Sequence, residues 1–348
     1  MKASRINILS NKKAIKRILL IRFGLVGDVL LTTPVVATLR KHFPKARIVY
    51  LTEKVSADVL RNNPDINEVW ILARGVAKKM IADKPYDLVI NFDWFYPSQA
   101  LSFLSGAKYR VDFPVWKRLG QEFASRDAYH VTLGRLRHRP DIIDQCLNLT
   151  RSLGLKDHTR ETGFYLTGRE NNFAASYLKA LGFKGTLIVG MHPGGHREKS
   201  LWPARKFSAL ADRVVRELSA AVLIFQGPGE RARARKVYLK MKRKRDACLV
   251  QEFPLRKYAS LVKRCDVFIA HDRGPMHIAV SLGVKTIGIF TTPEADEYFP
   301  YKEKLDCGYL EKNNAKLIGI GEVLNKIKLV LNRNSAVSHG LKSGRAVK

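Results

Sequence analysis

The stretch His271-Asp272-Arg273-Gly274-Pro275-Met276-His277-Ile278-Ala279, preceded by Val267 to Ala270 and running on to Phe290, decides the fold. The apolar residues Val267 to Ala270 read as a buried strand, the polar turn as its exit and Gly274-Pro275 as a helix opening. Thr286 to Phe290 reads as the next strand. Proline suits a first helical turn, where its missing N–H has no intrahelical partner to lose. Strand, turn, helix, strand is the unit of a parallel sheet. The turn lies where α/β proteins hold phosphates, because a helix start presents unpaired N–H groups and the positive end of the helix dipole. A similar junction stands early in the chain. Ile18 to Phe23 reads as an apolar strand interrupted by Arg22, Gly24-Leu25-Val26-Gly27 is a tight loop, and Asp28 opens a helix expected to reach about Phe43.

Outward from these junctions, strand and helix signals alternate along the chain. In the first half the strand candidates are Arg17 to Phe23, Arg47 to Thr52, Val69 to Leu72, Asp87 to Asn91 and Tyr109 to Phe113, with a closing helix at Arg139 to Leu153. The second run places strands at Thr186 to Met191, Ala221 to Phe225, Cys248 to Val250, Val267 to Ala270 and Thr286 to Phe290. Helices fall between them, and a last one spans Ile320 to Leu331. At 348 residues the chain exceeds the size of one hydrophobic core. The expectation is α/β architecture in two Rossmann-like lobes with parallel sheets facing a central cleft: 1–165, 166–332, and a basic disordered tail over 333–348, where serines and glycines interrupt the cations.

Composition narrows the function. No apolar run reaches the roughly 18 residues that cross a bilayer, and Met1 to Arg5 lacks the apolar core of a signal peptide, so a cytoplasmic protein is expected. The four cysteines are widely spaced and read as reduced, mostly buried residues. The net charge of +31 favours encounter with polyanions, whether nucleic acid, anionic lipid or phosphorylated glycolipid, without choosing among them. A basic nucleic-acid-binding protein is one alternative; the dispersal of the cations and the lack of an aromatic platform or binding motif stand against it, so no specific nucleic acid is expected. A dinucleotide dehydrogenase is disfavoured because the first loop lacks the G-x-G-x-x-G spacing and an acidic ribose partner.

Four segments can carry chemistry, each with a plainer reading beside it. Gly27 and Asp28 follow the first strand, and Asp28 is either a base or a carboxylate satisfying the first turn of its helix. His192-Pro193-Gly194-Gly195-His196-Arg197-Glu198-Lys199-Ser200-Leu201-Trp202-Pro203 follows a strand. Its Gly194, Gly195, Arg197 and Lys199 suit phosphate oxygens, or else form a basic surface loop anchored by Trp202. Glu230, after Gly227-Pro228-Gly229, can accept ribose hydroxyls or favour its own helix N-terminus. At 272–277 an anion site would rest on backbone amides rather than on either imidazole, since a lone histidine is usually satisfied in the core.

In this order the segments resemble glycosyltransferase family 9, the bacterial heptosyltransferases of the lipopolysaccharide inner core, over roughly residues 16 to 331. The most specific pieces are Ile21-Arg22-Phe23-Gly24-Leu25-Val26-Gly27-Asp28-Val29-Leu30-Leu31-Thr32-Thr33-Pro34, Lys199…Trp202-Pro203 and Asp272 to Ala279. Tyr86 to Asn91 and Gly106 to Arg110 also match. The resemblance implies a GT-B fold and an inverting, metal-independent transfer of heptose from ADP-heptose, with no cofactor. It implies Asp28 as general base, Lys199 at the donor phosphates, Glu230 on the ribose, Asp272 beside the sugar and phosphates, Gly274, Pro275, Met276 and His277 at the pyrophosphate, and Leu255 near adenine. Two positions depart from the family pattern. Two residues rather than one separate Lys199 from Trp202, so Arg197 is an alternative phosphate ligand, and Arg273 stands where a small hydroxyl residue is usual. The implied partners are a nucleotide sugar, a lipid-linked anionic saccharide acceptor of the lipid A-core type and an anionic membrane surface. The protein is then a monomer, peripheral at the inner face of the inner membrane. Another nucleotide sugar on the same fold is the alternative donor.

Overall fold

A computed structural model describes residues 8, 14–93, 96–112, 129–132, 141–195, 201–290, 295–301, 303–304 and 306–340. The chain divides into two units, Met1–Tyr165 and Leu166–Lys348.

Unit one is a parallel sheet of six strands: β1 (Arg17–Ile21), β2 (Arg47–Thr52), β3 (Glu68–Ile71), β4 (Leu88–Asn91), β5 (Tyr109–Asp112) and β6 (Tyr129–Thr132), in the order β3-β2-β1-β4-β5-β6. Ile18 to Ile21 are all buried, as expected of a strand covered on both faces. Strand order reverses between β1 and β4, which are neighbours in register from Ile18 against Leu88 to Ile21 against Asn91. In open parallel sheets ligands sit outside the carboxyl ends of the strands at such a reversal. Leu19, Ile21, Val49, Leu51, Trp70, Met80 and Val89 form the core on one face.

The helix expected from Asp28 to Phe43 is two helices, α1 (Val26–Leu30) and α2 (Thr33–His42). Pro34 has no N–H to give to Leu30, and the Thr33 hydroxyl takes that carbonyl at 2.7 Å. The Thr32 hydroxyl likewise donates to the Val29 carbonyl at 2.7 Å, which leaves the buried Tyr50 hydroxyl as donor in their 2.6 Å contact. Side-chain hydroxyls therefore close α1 where its period alone reads as continuous. The closing helix of unit one, α6, is Ile142–Ser152. The intervening α3 (Lys54–Leu60), α4 (Val76–Ala82) and α5 (Tyr96–Leu104) follow β2, β3 and β4.

Unit two repeats the plan. Its strands are β7 (Ile188–His192), β8 (Ala221–Ile224), β9 (Ala247–Leu249), β10 (Val267–His271), β11 (Lys285–Phe290) and β12 (Cys307–Glu311), all parallel, in the order β12-β11-β10-β7-β8-β9. The reversal lies between β7 and β10. The helices are α7 (Gly168–Ala180), α8 (Ala204–Leu218), α9 (Arg231–Lys240), α10 (Leu255–Val262), α11 (Gly274–Ser281), α12 (Ala295–Tyr298) and α13 (Ile320–Gly340). In α8, Phe207, Leu210, Ala211, Val214 and Val215 recur at helical spacing and face the core against β7 and β8. Helix α13 lies along α8 within unit two and continues through Gly340, well past Asn332, where a disordered tail was expected to begin. Strands β6 and β12 were not read from the sequence.

Among the described residues no helix is long and apolar enough to cross a membrane. The cysteines are free thiols, with Cys146, Cys265 and Cys307 buried and Cys248 half-buried.

Candidate active site

In unit one the candidate site is built at the β1 exit beside β4. Gly24 has φ of +113°, and a Cβ there would lie 3.0 Å from Oδ2 of Asp28, so glycine lets the loop fold over the carboxylate. Leu25 caps α1, placing Asp28 at the third helical position, where Oδ2 accepts the Leu25 N–H at 3.0 Å. This is the reciprocal half of a capping box, so the plain reading of Asp28 is structurally real. A second contact goes beyond it: Oδ1 lies 3.3 Å from Nη2 of Arg22. The Asp28 side chain remains 45% exposed while Arg22 is 12% exposed. Gly27 sits buried inside α1.

Arg22 and Asp93, neither singled out from the sequence as site residues, complete this end. Nη1 of Arg22 donates to Oδ1 of Asp93 at 2.8 Å and to the Phe92 carbonyl at 2.7 Å; the Phe23 N–H donates to Oδ2 of Asp93 at 2.5 Å. Asp93 is 1% exposed. Burial pushes its carboxyl up, against the pull of Arg22 and the Phe23 N–H. The Arg22 guanidinium is raised overall, since the charges of Asp93 and Asp28 outweigh the desolvation that lowers it. The available signal was positional: Asp93 stands two residues past Asn91 at the carboxyl end of the strand beside β1.

In unit two, Gly194 follows β7, and a Cβ on it would fall 2.2 Å from the Glu230 carboxylate. Glycine is needed there for side-chain room. Glu230 caps α9 and its Oε2 accepts the Gly227 N–H at 2.7 Å. Nε2 of the buried His192 stands 2.9 Å from the same oxygen, and its Nδ1 is 2.9 Å from the Tyr258 hydroxyl. The tautomer with its proton on Nε2 satisfies both, donating to Glu230 and accepting from Tyr258. His192, quoted from the sequence only as the start of its segment, and Tyr258, not singled out there, thus aim Glu230.

The flanks of the basic loop are pinned. Nε2 of His271 accepts the Trp202 N–H at 2.8 Å, which places its proton on Nδ1, 3.2 Å from the Gly194 carbonyl. Arg233 donates to the Pro193 carbonyl at 2.6 Å and the Trp202 carbonyl at 2.7 Å. Trp202 is fully buried and its Nε1–H reaches the Ile318 carbonyl at 3.0 Å. Gly195 and Leu201 end the two flanks; Arg197 and Lys199 lie outside the described residues.

At the β10 exit, Arg273 caps α11 and is exposed, with Gly274 and Pro275 in the first turn. Met276 and His277 are buried. Nδ1 of His277 meets the Tyr301 hydroxyl at 2.8 Å, and Nε2 lies 3.8 Å from Oδ1 of Asp272, too far for a hydrogen bond. Burial lowers His271 to about 3, with Arg233 adding to it, and lowers His277 to about 4. Both imidazoles are neutral core groups, so charge for an anion here falls to backbone amides and to Arg273. Leu255 opens α10, half-buried, beside Arg256, which is paired with Glu170. Phe253 stacks edge-on to Phe173 and Tyr177. Unit two therefore gathers Gly194, Glu230, Asp272 and the α11 start around the reversal of strand order. Among the described residues no group of three His, Cys, Asp or Glu side chains is placed to hold a metal.

Comparison with known proteins supplies the rest. The family model for "Glycosyltransferase family 9 (heptosyltransferase)" matches residues 74–339. The chain is 23% identical over 300 residues to lipopolysaccharide heptosyltransferase 3 of Escherichia coli K12, covering 80% of this chain and 83% of that protein. A family 9 glycosyltransferase structure from Veillonella parvula superposes with a TM-score of 0.81 at 22% identity, covering 91% of this chain and 98% of the other. The E. coli ADP-heptose lipopolysaccharide heptosyltransferase II structure superposes at 0.75 with 16% identity, covering 92% and 99%. The two parallel-sheet units thus have the GT-B fold of these enzymes.

Proposed function

The chain belongs to glycosyltransferase family 9 (heptosyltransferase), and from that premise we propose that it moves a heptose from ADP-heptose to the lipopolysaccharide inner core, with inversion and without a metal. The observation that carries this reading is the Asp28 carboxylate, half-exposed at the reversal of strand order and held by the Leu25 N–H and Arg22. The acceptor hydroxyl oxygen attacks the anomeric carbon, the bond to the diphosphate oxygen breaks, ADP leaves, and the hydroxyl proton passes to Asp28. Sugar transfer has oxocarbenium character, so a carboxylate on the acceptor side also stabilises developing positive charge. Charge growing on the leaving diphosphate calls for fixed donors. The first turn of α11, with Arg197 or Lys199, fits that need, and Glu230 fits a ribose. The acceptor in this reading is an anionic lipid-linked saccharide, reached by a peripheral monomer at the cytoplasmic face of the inner membrane.

Asp28→Ala tests the reading with ADP-heptose and heptose-deficient lipopolysaccharide. Transfer is lost while ADP binding by calorimetry stays within about twofold. Equal loss of both would reduce Asp28 to a helix cap.

A further inference from the structure

We propose that Asp93 is a positioning residue for Asp28, acting through Arg22. The inference rests on the reading of Asp28 as the base and adds how that base is held. Arg22 is anchored on one side only by short contacts: its Nη1 bonds Asp93 at 2.8 Å and the Phe92 carbonyl at 2.7 Å. The anchor is itself fixed. Asp93 takes the Phe23 N–H on its other oxygen and gives its own N–H to the Asn91 side chain at 3.1 Å. These residues join the carboxyl ends of β1 and β4, so the guanidinium plane is set by two neighbouring strands of the sheet.

What remains for Asp28 is the second nitrogen, Nη2, at 3.3 Å from Oδ1. That contact is longer than a good charge-assisted hydrogen bond, which lies at roughly 2.7–2.9 Å. Asp28 is therefore turned toward a fixed orientation, by Nη2 on one oxygen and the Leu25 N–H on the other, without being clamped in a tight bidentate pair. A clamped carboxylate would have its lone pairs occupied and would accept a proton poorly. By claiming Arg22 first, Asp93 keeps Asp28 available. The other ionisable groups that Arg22 senses are Cys146 of α6 and Tyr50 of β2. Burial pushes the thiol up to about 12 and raises the phenol, so both are uncharged. Electrostatics at this end reduces to Arg22, Asp93 and Asp28.

Removing the Asp93 charge by Asp93→Asn frees Arg22 to close on Asp28. Arg22→Lys keeps the charge but cannot bridge both carboxylates, so Asp28 loses its orientation. Each is expected to lower kcat by about 10- to 100-fold, the scale of an ångström-level misplacement of a catalytic group, while the KM for ADP-heptose stays within about twofold. The double variant should lose no more than the worse single one, because both act on one contact. Losses that multiply in the double variant, or that fall on kcat and KM together with a lowered melting transition, would overturn the inference. If Asp93→Asn does not fold, Arg22→Lys, which retains the buried charge pair, decides by its kcat and KM alone. An inactive Asp28→Ala beside unchanged kcat in both variants defeats this inference only, whereas transfer by Asp28→Ala defeats the assignment of the base.

Discussion

Gly194→Ala is the sharpest probe of the donor side, because one methyl group is aimed at one carboxylate. The added carbon would lie 2.2 Å from the Glu230 carboxyl group. Non-bonded carbon atoms rest about 3.5 Å apart or more, so the carboxylate must retreat by roughly 1.3 Å. Its contacts to the Gly227 N–H and to His192, now 2.7 and 2.9 Å, would stretch to about 4 Å and cease to be hydrogen bonds. Hydrogen bonds to a charged group contribute about 1.5–3 kcal/mol each. With water recovering part of that, unit two loses about 2–4 kcal/mol, a fall of roughly 5–12 °C in its melting transition. If Glu230 holds the ribose, as proposed, its displacement also weakens ADP by about 10- to 100-fold. Calorimetric titration with ADP and a melting scan read both effects, and Glu230→Gln, which adds no bulk, separates lost charge from displacement. A Gly194→Ala protein that melts with the parent and binds ADP equally well would refute the placement of Glu230 and its role.

Three further outcomes follow from the same contacts. His271 and His277 have folded values of about 3 and about 4, below the value of about 6.5 of an unfolded imidazole. As pH falls through 6.5 the unfolded chain takes up protons first, so their stabilising contribution is complete above about pH 7. It declines below that by up to about 1.4 kcal/mol per pH unit for each histidine, and urea midpoints that stay level from about pH 7.5 to pH 5 would exclude buried neutral imidazoles. Trp202→Phe removes one of two donors to the Ile318 carbonyl, which keeps the Lys206 Nζ at 2.6 Å; urea titration should show about 0.5–1.5 kcal/mol lost, and no change would mean the lysine alone satisfies the carbonyl. Exposed Arg231, Arg235, Lys236, Lys240 and Lys242 to Arg245 on and after α9 should bind anionic vesicles in low salt. Co-sedimentation should fade toward about 0.5 M salt, where the Debye length is only about 4 Å, and salt-indifferent binding would remove charge as the cause.

Much was legible in the chain because it depends on neighbours in sequence. Apolar runs such as Ile18 to Ile21 and Val267 to Ala270 must be buried, and the alternation of runs and amphipathic helices such as α8 admits little besides parallel sheets. The family motifs around Asp28 and Asp272 carried the class of chemistry; the family match over residues 74–339 bears out that class and spans the second motif, while the first lies before it. Sequence alone left β6 and β12 unread, because Tyr129-His130-Val131-Thr132 and Cys307-Gly308-Tyr309-Leu310-Glu311 are short mixed stretches without an apolar run.

What only the tertiary structure decided was which side chains serve which others. Asp28 has a cap in its own loop but an arginine fixed by a residue just past the end of another strand, 71 positions from Arg22. Gly194, read from sequence as part of a phosphate loop, owes its identity to a glutamate side chain arriving from the start of α9. His271 and His277, expected to be core groups, met their partners Trp202 and Tyr301 only in the folded unit. Such facts are contacts between residues far apart in sequence, made only when strands adjoin. Periodicity records which face of an element is buried, and it carries no record of what that face meets.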